Sequence, residues 1–180
     1  MNDRQLQIID AATVLFLSEG VGVSTARIAK AAGVSNGTLF NAFSTKQALI
    51  DAIYQHAKLG MFAAMPHAGD ARFDRANLYE NWQGYLARAR AHPQEREIMH
   101  LLLDAGLASE QMQAEIEQHL APYAVWIQNA LDHNMIKGPN AAFIGRLILF
   151  QIDLVITENL HSSDADLAFD MLCKAIGLTQ

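Results

Sequence analysis

STARIAKAAGVSNGTLFNAFSTK, residues 24–46, reads as a short helix, a glycine turn, a second short helix and a capped entry into a third. Ser24 precedes a run of good helix formers and can accept a backbone N–H to start the first. Gly33 stands where a left-handed C-terminal stop belongs. Val34 is expected as a plug between the two helices, and Ser35 can cap the second, Asn36 to Phe43. Ser44-Thr45-Lys46-Gln47 matches a capping box, with Ser three residues ahead of Gln. Ile28, Ala32, Leu39, Phe43 and Leu49 can close a small core. Two short helices joined by a glycine-containing turn is the arrangement that sets one helix in a major groove. Lys46 falls in the first turn of its helix, where the dipole disfavours a cation, so it suggests an anionic partner such as a DNA phosphate.

These residues resemble the N-terminal domain of the TetR/AcrR family of bacterial transcriptional regulators. The matching pattern runs from Gly20 and Ser24 through Ile28-Ala29, Ala32-Gly33-Val34-Ser35, Gly37-Thr38-Leu39-Phe40, Phe43, Lys46 and Leu49. It covers roughly the first quarter of the chain; the remainder resembles the family only in length and helical character. Three positions depart from the common pattern: Phe40 stands where Tyr is more frequent, Ala42 where His or Tyr is frequent, and Ala26 where a base is frequent. The first departure removes a hydroxyl that often reaches a phosphate. Asn36, Thr38 and Asn41 are the candidates for reading base edges, since Asn and Thr can hydrogen-bond there. Ser24, Arg27, Ser35, Phe40 and Lys46 are candidates for touching or positioning the backbone. Removing Lys46 is then expected to weaken binding to every sequence and flatten its salt dependence.

Composition fits an all-α chain. Of 180 residues 51% are hydrophobic, too many for a disordered chain, and four prolines with no strand-like alternation argue against β structure. The single Cys173 cannot form an internal disulfide, which suits a reducing cytosol. No signal-peptide segment follows the polar start, and no charge-free apolar run is long enough to span a bilayer. A cytoplasmic protein without membrane contact is expected. Residues 1–58 carry Arg4, Arg27, Lys30, Lys46 and Lys58 against Asp3, Asp10, Glu19 and Asp51, a balance of +1 within a chain of net charge −6. Net charge alone does not point to nucleic acid; the motif does.

The rest of the chain gives about nine helices in all: Asp3 to Ser18, the two of the reader, Thr45 to Met65, Ala71 to Ala91, Pro93 to Ala105, Ser109 to Ile136, Ala141 to Leu160, and Asp164 to Ile176. Pro122 is expected to kink or split the seventh. We expect a three-helix DNA-binding domain at 1–48 and a helical effector-binding and dimerisation domain at 49–180. Between Ala141 and Ile156 only Arg146, Gln151 and Asp153 are strongly polar, so this helix must be covered on more than one side. With the ninth it could form a four-helix contact across a two-fold axis. The resemblance implies such a homodimer, with Leu147, Phe150, Leu154, Phe169 and Leu172 at its interface. The bland alternative is a central core helix.

Large and pliable residues gather in the middle of the chain: Met61, Met65, Trp82, Tyr85, Met99, Leu103, Tyr123 and Trp126. Each alone is more readily plain core. As a set, the resemblance implies a cavity for a small hydrophobic or amphipathic effector, with His100, Asp104 and Gln151 as polar anchors. The implied function is a ligand-responsive regulator, a repressor on a near-palindromic operator. An effector-binding protein with weak or lost DNA binding is the alternative. Seven histidines invite a metal reading, but no HExxH or Cys/His spacing occurs, and no GxSxG, P-loop or GxGxxG. No cofactor, metal or catalytic residue is expected.

Overall fold

The structure is a computed structural model that describes residues 1–161 and 163–178. Among these residues it is all-helical: α1 (Asp3–Glu19), α2 (Thr25–Ala31), α3 (Asn36–Ala42), α4 (Lys46–Ala63), α5 (Arg75–Ala91), α6 (Pro93–Asp104), α7 (Glu110–Asp132), α8 (Ala141–Thr157) and α9 (Ser163–Ala175). Side-chain caps account for most of the helix starts. Asn2 and Gln5 exchange hydrogen bonds in a capping box at α1. Ser24, Ser35, Ser109 and Asn140 each accept a backbone N–H at the start of α2, α3, α7 and α8. The fourth helix departs from expectation. Thr45, not Ser44, caps it, accepting from the Ala48 N–H at 3.0 Å. Gln47 is therefore free of a capping box and reaches the Leu107 carbonyl and Asp51 instead. The fifth helix starts at Arg75 rather than Ala71, because the Asp74 carboxylate takes the Asn77 N–H.

The ends of α7 and α8 also come earlier than the hydrophobic pattern suggests. Asn134 and Asn159 adopt left-handed φ values of 55° and 52°. Beyond them Met135 and Leu160 donate back to the Ala130 and Val155 carbonyls, closing each helix. Pro122 lies inside α7 without splitting it.

The described chain forms two compact units: residues 1–60 with 92–116, and residues 61–91 with 117–178. This division differs from a cut at 48/49, because α6 packs on α1 and so belongs with the reader. In the first unit, α1 also packs on α2 and α3, around Ile8, Ile9, Phe16, Ile28, Leu39 and Leu49. Asp51 on α4 accepts both the backbone N–H and the hydroxyl of Ser109, at 2.9 Å each. That ties α4 to the turn between α6 and α7.

In the second unit α5 packs on α8 and α9 over a core that includes Trp82, Trp126, Ile144, Ile148 and Phe169. The buried Asn81 amide bonds both backbone groups of His67 and so holds the segment after α4. Tyr123 donates between the Phe62 and Met65 carbonyls, 2.9 Å from each. Gly84 allows a close approach: a Cβ there would lie 1.9 Å from the Ala64 carbonyl oxygen.

Candidate nucleic-acid interface

The reader is built from local chemistry. Gly33 takes φ +66°, its N–H bonds the Lys30 carbonyl, and the Val34 N–H bonds that of Ala29 at 2.9 Å. Those two bonds form a Schellman stop, which turns the chain sharply between α2 and α3. Val34 itself is half-buried. Ile28, Ala32, Leu39, Phe43 and Leu49 are all buried, so the small core forms as its spacing suggests.

Seven-residue α3 then has one face inward through Leu39 and one face to solvent through Asn36, Gly37, Phe40 and Asn41. Both asparagine amides are thus presented outward. The Phe40 ring is 41% exposed, a large apolar side chain with no enclosing core. Thr38 is half-buried and its hydroxyl lies 2.8 Å from that of Ser35. Ser24 and Ser35 both serve as caps.

The cations are largely engaged by the protein. Arg27 clamps Glu19 with two guanidinium nitrogens, one at 2.8 Å, and this pair holds the Glu19 carboxyl below the ordinary carboxylate range. Lys46 departs further from expectation. Its ammonium donates to the Val21 and Val23 carbonyls at 2.6 and 2.8 Å, and it sits 5.8 Å from the centroid of the Phe16 ring. The cation at a helix start is explained by carbonyl ligands in the α1–α2 turn, with no need of a phosphate. Lys30, which the motif did not single out, is exposed in the last turn of α2. It is the cation of residues 24–46 with no partner among the described residues. Only its place on the rim of the reader could have marked it in the sequence.

The residues expected at an effector chamber are distributed between the two units. Met99, His100, Leu103 and Asp104 lie on α6 in the first, where Met99 is buried and Leu103 and Asp104 are exposed. Met61, Met65, Trp82, Tyr85, Tyr123, Trp126 and Gln151 lie in the second. Of these, Met61, Trp82, Tyr85 and Trp126 are closed into its core. The Gln151 amide nitrogen donates to the Ala168 carbonyl at 2.6 Å.

The expected interface residues divide too. On α8, Phe150 is 69% and Leu154 46% exposed, beside half-buried Leu147 and exposed Phe143. On α9, Phe169 and Leu172 are buried in their own unit, and the exposed apolar residues are Leu167 and Met171. The ninth helix carries two apolar faces, and Phe169 and Leu172 lie on the inner one. Among the described residues no group of His, Cys, Asp and Glu could hold a metal ion, and no helix is long and apolar enough to cross a membrane.

Two short helices joined by a glycine turn, with an outward polar face on the second, form a helix-turn-helix motif. Residues 8–53 match the family profile of bacterial regulatory proteins, tetR family. Solved structures share the fold over nearly the whole chain. A protein of Shewanella sp. PV-4 described as a tetR family transcription regulator superposes with TM-score 0.82 at 20% identity, over 97% of this chain and 98% of that one. A TetR-family regulator of Haemophilus influenzae RD gives 0.78 at 17% identity, over 97% and 96%. One from Marinobacter aquaeolei VT8 gives 0.77 at 19%, over 96% and 95%. Such identities speak to fold alone, and the family match is confined to the N-terminal segment. Residues 8–53 thus match a tetR-family N-terminal domain, and the chain has the fold of the TetR-family regulators it superposes on.

Proposed function

We propose that this protein binds double-stranded DNA as a two-fold homodimer and represses transcription from a near-palindromic operator, in the cytoplasm and without a catalytic step. Residues 1–48 are the reader, and 49–180 supply dimerisation and effector binding. The observation that carries the reading is α3 itself: with its caps satisfied and Leu39 inward, it presents Asn36 and Asn41 to solvent on one face. Asparagine amides can pair with adenine edges in the major groove. Thr38 joins them as a candidate base reader, and Ser24, Arg27, Lys30, Ser35 and Phe40 are candidate backbone contacts. Two copies of α3 one helical turn apart, about 34–36 Å, would meet successive major grooves. The apolar stripe of Phe143, Phe150 and Leu154 on α8, with Leu167 and Met171 on α9, supports the pairing of two copies. Release follows from a small hydrophobic or amphipathic effector with different affinities for the two arrangements of the dimer.

The test is binding to the DNA immediately upstream of the protein's own gene, at two salt concentrations and with excess nonspecific competitor. Protection of one near-palindromic site is the expected result. Binding that salt and competitor erase would favour the second reading, an effector-binding protein with weak or lost DNA specificity. The engagement of Arg27 by Glu19 and of Lys46 by two carbonyls favours that reading, since among residues 24–46 it leaves Lys30 as the one cation with no partner among the described residues.

A further inference from the structure

The second unit contains an open cavity of about 790 Å³, within the range of small-molecule sites. None of the residues expected at an effector chamber lines it. Its apolar wall is formed by Phe73, Met135, Phe169 and Leu178. Its polar edge holds two carboxylates one turn apart on α9, Asp166 and Asp170, opposite Arg75 and Tyr79 on α5.

The two carboxylates have different partners. Asp170 holds the Arg75 guanidinium, which also lies over the Phe169 ring, 5.2 Å from its centroid. Arg72 lies 3.5 Å from Asp74. Asp166 receives only the Tyr79 phenol, at 2.7 Å, and no cation among the described residues lies within ion-pair distance. The phenol stays protonated, since its bond to Asp166 raises its pKa above the ordinary value. The cavity edge thus carries two opposed charge pairs and a third carboxylate, Asp166, with no ion-pair partner among the described residues. Arg75 shows the chemistry this wall accepts, a flat cation between a carboxylate and an aromatic face.

We infer that this cavity binds an amphipathic organic monocation, with its apolar body against Phe73, Phe169 and Met135 and its positive charge beside Asp166. Neutral and anionic molecules of the same shape are disfavoured, because the one charge left to neutralise is negative. The inference goes beyond the DNA-binding reading and is independent of it, since binding is measured on the protein alone.

Tetraphenylphosphonium and tetraphenylborate match in shape and differ in charge. Each is titrated into the intact chain by calorimetry and by tryptophan fluorescence. The two tryptophans report directly: Trp126 lies tilted against Phe73 with centroids 4.3 Å apart, and Trp82 packs edge-on to Phe169 at 5.5 Å. The phosphonium should bind once per chain, at least about tenfold more tightly than the borate. Asp166→Asn should weaken it about tenfold with no change in melting temperature. Asp164→Asn, on the same helix but outside the cavity lining, should leave it unchanged. Equal affinity for the two ions, preference for the borate, no binding of either, or an Asp166→Asn variant with undiminished phosphonium affinity would each overturn the assignment.

Discussion

Lys46 looks, in the sequence, like a cation misplaced at a helix start. Its two carbonyl acceptors, Val21 and Val23, lie more than twenty residues upstream, so no local pattern reveals them. The resulting prediction reverses the sequence expectation. Lys46→Met should cost about 1–3 kcal/mol of stability through loss of charge-assisted hydrogen bonds, read as a lower denaturant midpoint. The slope of log affinity against log salt should remain as in the wild type, whereas a shallower slope would return Lys46 to the phosphate contacts. Arg27 is the converse case. Its clamp on Glu19 is exposed on both sides, so releasing it is structurally mild. Glu19→Gln should free the guanidinium for a phosphate, raising nonspecific DNA affinity and steepening the salt slope by about 0.9. An unchanged slope would mean that Arg27 does not face the DNA.

The α2–turn–α3 element was legible because its signals are short-range: a serine cap, a glycine stop and a second serine cap fall within twelve residues. Gly33→Ala should therefore destabilise by about 1 kcal/mol, through strain at φ +66° rather than through a clash, since nothing lies within 4 Å of a Cβ there. Thermal melting compared with Gly37→Ala, a helical position in open space with only Ser35 Oγ at 3.8 Å, separates the two causes. The ninth helix was less legible. Periodicity shows that it is amphipathic, yet Phe169, Leu172 and Ile176 form one apolar stripe and Leu167 with Met171 another. Which stripe meets its own core depends on α5 and α8, which no spacing within α9 encodes. The same holds for the Gln151 amide nitrogen, whose acceptor, the Ala168 carbonyl, lies on α9.

For the whole molecule, the exposed stripe on α8 makes the state of assembly the decisive quantity. Phe150→Asp puts a charge at the centre of that stripe while leaving the buried Ile144, Ile148 and Ile152 untouched. Sedimentation should show a shift from dimer to monomer, with loss of operator affinity and retention of helical content. A dimer that survives the substitution would place the interface elsewhere. The allocation of α6 to the reader's unit was invisible in the sequence, because α1 and α6 are separated by more than seventy residues. That allocation also has a consequence for synthesis. The reader emerges from the ribosome before α6, so its support on α1 arrives only with residues 93–104, and the Asp51 anchor only with Ser109. A nascent chain arrested before that point should remain open to protease, and the N-terminal unit should close as one cooperative step once residue 116 has cleared the exit tunnel.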